Sequence, residues 1–119
     1  MGSRVSGLST HVLDLTAGAP AADVRVDLFR RVADETLPIG EHRTDSDGRA
    51  RLLDDDRFEA GDYRLTFAVG AYFRRTGAVT QTPSFLEVVV IDFTVTDAAR
   101  RHHVPLLVSP FGYSTYRGS

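Results

Sequence analysis

Apolar and polar side chains alternate with a period of two along most of this chain, and that period is typical of β-strands with one buried face. The segment 24–31 (VRVDLFRR) alternates apolar and charged residues. The segment 62–69 (DYRLTFAV) places Tyr63, Leu65 and Phe67 on one face. The pattern predicts about eight short strands, at residues 8–14, 24–31, 36–44, 49–53, 62–69, 85–95, 102–108 and 113–117. One or two helical turns are predicted at residues 71–76, before Gly77.

Short strands separated by turns favour an all-β fold, specifically a β-sandwich. The domain is expected to cover residues 8–119, with residues 1–7 as an N-terminal extension that need not be ordered. The pair Asp47-Gly48 marks a tight hairpin turn between the third and fourth predicted strands. The segment 85–95 is the strongest apolar run, which makes it the best candidate for a central strand.

Composition narrows the classes of function. A chain of 119 residues is one domain with a core of its own, and 42% hydrophobic with 25% charged residues is ordinary for a globular protein. A net charge of −2 and a pI near 6.0 argue against nucleic acid as the main partner. The absence of cysteine excludes disulfides, thiolate nucleophiles and cysteine-based metal sites. The sequence has neither an apolar run of membrane-spanning length nor a signal-peptide segment, so we expect a cytoplasmic protein with no membrane partner.

Polar side chains with catalytic potential share faces of three predicted strands. These faces hold Ser9, His11 and Leu13 in the first strand, His103, Pro105 and Leu107 in the penultimate strand, and Ser114, Tyr116 and Gly118 in the last. If the three strands are neighbours in one sheet, their polar members converge on a single surface. Alternation permits this convergence without requiring it.

Two of these candidates have both an ordinary and a functional interpretation. His11 is either a surface strand residue or a general base, because imidazole titrates near the working pH of most enzymes. Arg49 follows the Asp47-Gly48 turn, where an arginine is usually solvent-exposed. Its guanidinium is nevertheless a rigid fork of donors that suits a planar substrate with adjacent carbonyl oxygens.

The remaining histidines carry weaker signals. His102 and His103 are adjacent, so they point to opposite faces of a strand and cannot both reach one metal ion. His42 belongs to no recognisable motif and is expected on the surface. The sequence has no P-loop, GxGxxG, HExxH or GxSxG motif, and the triple aspartate at 54–56 lacks an EF-hand pattern. We therefore expect neither a metal nor a cofactor.

The chain resembles the 5-hydroxyisourate hydrolases, the enzyme branch of the transthyretin-like family. The matching motifs are LSTHVLD at 8–14, TDSDGR at 44–49, GDYRLTF at 61–67, FLEVVVIDFTV at 85–95, HVPLL at 103–107 and the closing YRGS. Their order, together with the tail, makes the resemblance specific. It implies a transthyretin-like sandwich of two four-stranded sheets with one short helix.

The resemblance implies the hydrolytic ring opening of 5-hydroxyisourate to 2-oxo-4-hydroxy-4-carboxy-5-ureidoimidazoline in urate degradation. The family's catalytic positions fall on His11, Arg49 and His103. One imidazole would activate water, with His103 favoured over His11, and Arg49 would bind ring oxygens. Substrate-binding roles are implied for His11, Arg49 and the tail residues Ser114, Tyr116, Arg117, Gly118 and Ser119. The family often has histidine two positions before His103, where this chain has Arg101.

The resemblance also implies a homotetramer with active sites at a subunit interface. The alternative function is that of a carrier of small hydrophobic molecules, as transthyretin is. A carrier would need small apolar residues where this chain has His11, His103 and Tyr116. A generic sandwich interaction module is a third interpretation, and it leaves the polar tail unexplained.

Overall fold

The protein is a two-sheet β-sandwich in the computed structural model, which describes residues 7–118. The elements, in chain order, are β1 (Gly7–Asp14), β2 (Ala19–Pro20), β3 (Arg25–Val32), β4 (Glu35–Arg43), β5 (Arg49–Leu53), β6 (Gly61–Phe67), α1 (Val69–Thr76), β7 (Val89–Val95), β8 (Arg101–Ser109) and β9 (Gly112–Thr115). The predicted sandwich with one short helix is confirmed. The rest of the expected N-terminal extension and Ser119 lie outside the described residues.

The first sheet has the strand order β2-β1-β8-β9. Strand β5 also belongs to it and pairs with the same edge of β1 as β2 does, opposite β8. The second sheet has the order β4-β3-β6-β7. Strands β1 and β8 run parallel, whereas the other pairs are antiparallel. The two-residue strand β2 gives the first sheet a fifth member that the sequence pattern did not reveal.

The core lies between the two sheets, and in β3 and β6 it uses the apolar faces that the alternation predicted. Its fully buried side chains include Leu8, Val12, Leu106 and Val108 of the first sheet and Val26, Leu28, Tyr63, Leu65 and Phe67 of the second. Burying one such side chain contributes roughly 1.5–3 kcal/mol. Because this face is fixed by burial, the opposite face of β1 and β8 must point outward.

The expectation of a central strand at 85–95 is wrong. Strand β7 begins only at Val89 and pairs with β6 alone, so it is an edge strand. The preceding residues fold over α1, where Glu87 accepts two hydrogen bonds from the Arg74 guanidinium at 2.7 and 2.8 Å. The apolar run was misleading because it combines buried residues, Val89 and Ile91, with the exposed Val90, which is 44% accessible.

The expected hairpin at Asp47-Gly48 is also wrong, although a tight turn does form there. The Gly48 N–H donates to the Asp45 carbonyl at 2.9 Å, which closes the turn. The strands on either side belong to different sheets, since β4 pairs with β3 and β5 pairs with β1. The switch occurs because the Gly48 carbonyl accepts a 2.7 Å hydrogen bond from the Val12 N–H, which directs the chain onto β1.

Candidate active site

Three strands of the first sheet bring the predicted catalytic side chains together on its outward face. Ser9 of β1 lies opposite His103 of β8, and His11 of β1 lies opposite Arg49 of β5. The rings of His11 and His103 are 6.4 Å apart between centroids. The convergence that alternation only permitted therefore occurs for Ser9, His11 and His103, and Arg49 joins them from β5.

A cleft of about 590 Å³ opens beside this cluster. It is lined by Ser9, Thr10, His42, Arg43, Asp45, Arg49, Ala50, Arg51, Arg101 and His103. His11 does not line the cleft itself, although its ring centroid lies 6.4 Å from that of His103. Four arginines and one carboxylate give the cleft a positive charge, which suits a polar or anionic planar molecule.

His103 is held in a defined orientation. Its Nδ1 lies 2.9 Å from Ser9 Oγ, in a half-buried position. Burial lowers the pKa of His103 below the ordinary 6.5, and the nearby positive groups His11, Arg49 and Arg101 lower it further. The imidazole is therefore neutral over most of the physiological range, as a general base must be.

The turn before β5 positions Arg49. Asp45 Oδ1 accepts the N–H of Asp47 at 2.9 Å and the N–H of Arg49 at 3.0 Å. The hydrogen bond from the Arg49 N–H is the main cause that lowers the pKa of Asp45, which keeps this carboxylate ionised. Gly48 adopts a φ of +77°, and a Cβ there would lie 2.5 Å from the Val12 carbonyl oxygen. Only glycine fits this position without strain.

The tail reaches the site through its backbone. His103 N donates to Gly118 O at 3.2 Å, and Gly118 N donates to His103 O at 2.6 Å. This bridge keeps the register of the β8–β9 ladder. A Cβ on Gly118 would lie 3.2–3.5 Å from atoms of the His103 side chain. The absence of a side chain at Gly118 thus leaves room for the imidazole.

The other predicted tail residues that the structure describes do not line the cleft of His103 and Arg49 in the single subunit. Ser114 is exposed opposite Leu107 on β9. Tyr116, 60% exposed, and Arg117 line a separate cleft of about 220 Å³ that also contains His102. Ser119 lies outside the described residues.

The structure adds cleft residues that the sequence pattern did not single out. His42 is half-buried and lines the cleft, although a surface position was expected. Burial lowers its pKa. Arg101 lines the cleft because it stands two residues before His103 on the same strand face. Its position on the same strand face as His103 was the sequence signal that could have found Arg101. His42 comes from β4 of the other sheet, and the sequence held no comparable signal for it.

His102 points into the core, as expected from its position next to His103. It is buried and stacks edge-on against Phe58, with ring centroids 5.3 Å apart. Within residues 7–118, no cluster of three or more histidine, cysteine, aspartate or glutamate side chains is arranged to hold a metal ion. In the same part of the chain, no helix is long and apolar enough to cross a membrane.

Comparison with known proteins defines the class. Residues 8–118 match the model of the HIUase/Transthyretin family, and the chain belongs to this family. It is 53% identical to the 5-hydroxyisourate hydrolase of Caulobacter vibrioides, over 97% of this chain and 100% of that protein. It is also similar to the structure of Klebsiella pneumoniae 5-hydroxyisourate hydrolase, with a TM-score of 0.80 and 38% identity over 96% of this chain and 100% of that one.

The carrier branch of the family is similar in fold as well. Sea bream transthyretin in complex with thyroxine matches with a TM-score of 0.84 and 30% identity, over 94% of each chain. The fold alone therefore does not separate enzyme from carrier, and the side chains of the site must do so.

Proposed function

We propose that this protein is a 5-hydroxyisourate hydrolase, which opens the substrate ring to 2-oxo-4-hydroxy-4-carboxy-5-ureidoimidazoline in urate degradation. The observation that carries the proposal is the half-buried His103, held by Ser9 with a lowered pKa beside His11 and Arg49. The high identity to named hydrolases over nearly the full length supports the same function. The cytoplasmic location stays a prediction from the sequence.

His103 is the proposed general base. With a proton on Nδ1, this nitrogen donates to Ser9 Oγ at 2.9 Å, which leaves the Nε2 lone pair available. Nε2 would remove a proton from water as the water attacks a ring carbonyl. General acid–base help of this kind contributes roughly 10²–10⁴-fold to the rate.

Arg49 is the proposed electrophilic group. Attack by water converts the ring carbonyl oxygen to an oxyanion, and N–H groups of the Arg49 guanidinium would donate hydrogen bonds to it. Collapse of this intermediate breaks the ring C–N bond, and the leaving nitrogen takes up a proton. His11, with its ring 6.4 Å from that of His103, would orient the water or deliver this proton.

We also propose that the protein is a homotetramer with its active sites at a subunit interface. Large apolar side chains are exposed on the single subunit, among them Leu15, Phe85, Phe111, Tyr113 and Tyr116. Such exposure usually marks an interface. Strands β7 and β9 are edge strands with unpaired backbone groups, which a second subunit could pair. The tail residues Ser114, Tyr116, Arg117, Gly118 and Ser119 would bind substrate in this assembled form.

A carrier of hydrophobic molecules is the alternative, and the chemistry of the cleft disfavours it. Arg43, Arg49, Arg51 and Arg101 surround the space that an apolar ligand would have to enter. Taking charged groups out of water without hydrogen-bonding partners costs several kcal/mol by rough estimate.

The deciding experiment generates 5-hydroxyisourate with urate oxidase and follows its ultraviolet decay with and without this protein. We expect decay to accelerate in proportion to protein concentration. Heat-denatured protein serves as the control for buffer and surface effects. A decay rate equal to the spontaneous rate at all protein concentrations would refute the proposed function.

A further inference from the structure

The four arginines of the cleft differ in whether their charge is neutralised. Arg43 pairs with Asp23 at 3.4 Å, and Arg51 pairs with Asp54 at 3.1 Å. Arg49 and Arg101 form no ion pair with any carboxylate of residues 7–118. Arg49 already has the proposed electrophilic role, so Arg101 is the positive charge of the cleft that the mechanism leaves unused.

Arg101 lies opposite a glycine on the neighbouring strand. Its Cα lies opposite Gly7 of β1, and its side chain is exposed at the cleft. A Cβ on Gly7 would lie 2.8 Å from an Nη atom of Arg51, so a larger residue there would displace Arg51. The space beside Gly7 therefore holds the Arg51 guanidinium, which is paired with Asp54, and Arg101 itself stays exposed at the cleft.

The charge change of the reaction matches an extra cation. Hydrolysis adds one water, breaks one ring C–N bond and forms a carboxyl group, which ionises and releases a proton. The product therefore carries one more negative charge than the ring it came from. A guanidinium binds a carboxylate through two parallel hydrogen bonds and stays charged throughout the physiological range.

We infer that Arg101 is a second anion-binding residue of the cleft, which sets affinity for anionic oxopurines and for the carboxylate formed on ring opening. This inference rests on the proposed function for the identity of the substrate. Because arginine is charged at every working pH, it supplies this positive charge throughout the range of the assay.

The test separates charge from shape by using two stable purines. Urate is an anion near neutral pH, and hypoxanthine is uncharged under the same conditions. Equilibrium titration gives the Kd of each for wild type and for Arg101→Gln. We expect the substitution to weaken urate binding about tenfold and to change hypoxanthine binding by less than about twofold. The matched control is Arg100→Gln, which removes an exposed charge one residue away and outside the cleft, and it should behave as wild type.

Steady-state kinetics add a second readout. Arg101→Gln should raise KM about tenfold and keep kcat within about threefold, because the residue binds rather than performs proton transfer. Arg101→Lys retains the positive charge without the two-pronged guanidinium. Its KM and urate Kd should therefore lie between those of wild type and Arg101→Gln. This variant also keeps the test open if Arg101→Gln folds poorly.

Three results would overturn the inference. They are an unchanged urate Kd in Arg101→Gln, equal weakening of urate and hypoxanthine, and equal effects of Arg100→Gln and Arg101→Gln. Failure of the proposed function looks different, because wild type would then not accelerate 5-hydroxyisourate decay. A selective loss of urate binding in Arg101→Gln would still support the anion site in that case.

Discussion

At the residue scale, the contact between Ser9 Oγ and His103 Nδ1 decides which ring nitrogen is available to a ligand. Imidazole has two distinct nitrogens, and a partner on one fixes the role of the other. The bridge to Gly118 holds the backbone of His103 on its other side. The imidazole thus has few alternative orientations, which favours the geometry that general-base catalysis needs.

The pKa of His103 predicts the pH dependence. Burial and three positive neighbours lower this pKa below 6.5, and only the neutral ring acts as a base. The value of kcat/KM should therefore rise with pH through a midpoint below 6.5 and then level off. Arg101→Gln removes one positive neighbour and should move the midpoint upward, whereas the exposed Arg57→Gln should not. A wild-type midpoint above 6.5 would contradict this assignment.

Single substitutions test the three proposed catalytic residues. His11→Ala, Arg49→Ala and His103→Ala should each lower kcat/KM by about 10²-fold or more, because each removes a group that acts in the transition state. The decay of 5-hydroxyisourate gives the rate, and circular dichroism checks that the fold is intact. Arg57→Ala, at an exposed position outside the cleft, is the control and should keep full activity. Wild-type rates in any two of the three variants would exclude this site.

At the element scale, the turn from Asp45 to Arg49 connects fold to site. It carries the chain from the second sheet to the first and fixes the start of β5 against β1. Asp45 holds the turn through two backbone N–H groups. Since Arg49 is the residue that follows Gly48, a distortion of the turn must move the guanidinium.

Two glycines with similar backbone angles allow a matched test of this turn. Gly18 has a φ of +66° with open space where a Cβ would be, so Gly18→Ala should cost about 1–2 kcal/mol from the backbone alone. Gly48→Ala adds a clash with the Val12 carbonyl and should cost roughly 3 kcal/mol or more. Urea denaturation gives both values. Equal losses of stability in Gly18→Ala and Gly48→Ala, or full activity in Gly48→Ala, would show that the close approach of Gly48 to the Val12 carbonyl has no consequence.

At the scale of the whole molecule, the single subunit has an unusual distribution of apolar surface. Phe85 and Phe111 are 72% and 69% exposed, and their rings lie tilted against each other with centroids 6.1 Å apart. Apolar side chains of this size are normally removed from water by a partner. Tyr116, for which the family resemblance implies a place in the site, is also exposed and does not line the cleft of His103 in the single subunit.

Light scattering at micromolar concentration tests the proposed assembly. We expect a mass of four 13.1 kDa subunits for the wild type. Phe111→Asp introduces a charge into the exposed apolar patch and should lower both the mass and the activity. Val32→Asp, at a position 50% exposed in the second sheet, is the control and should change neither. A mass near 13.1 kDa in a fully active sample would refute the interface site.

Much of the fold and part of the site could be predicted from the sequence. Alternation identified the buried face of β6 and sorted the residues of β1 and β8 onto two faces, because side-chain direction in a strand is set by local covalent geometry. The same parity separated His102, which packs in the core, from His103, which faces the cleft. The motif resemblance added the expectation that His11, Arg49 and His103 act together.

Only the tertiary structure decided which strands are neighbours and in which register. The parallel pairing that places Ser9 opposite His103 joins residues 94 positions apart. The transfer of β5 to β1, the edge position of β7 and the entry of His42 and Arg101 into the cleft are consequences of the same packing. The physical reason is that a strand's period is local, whereas its partner and register depend on how two distant apolar faces are buried together. The sequence by itself therefore determined which side chains point outward, and the packing of the sandwich determined which of them meet.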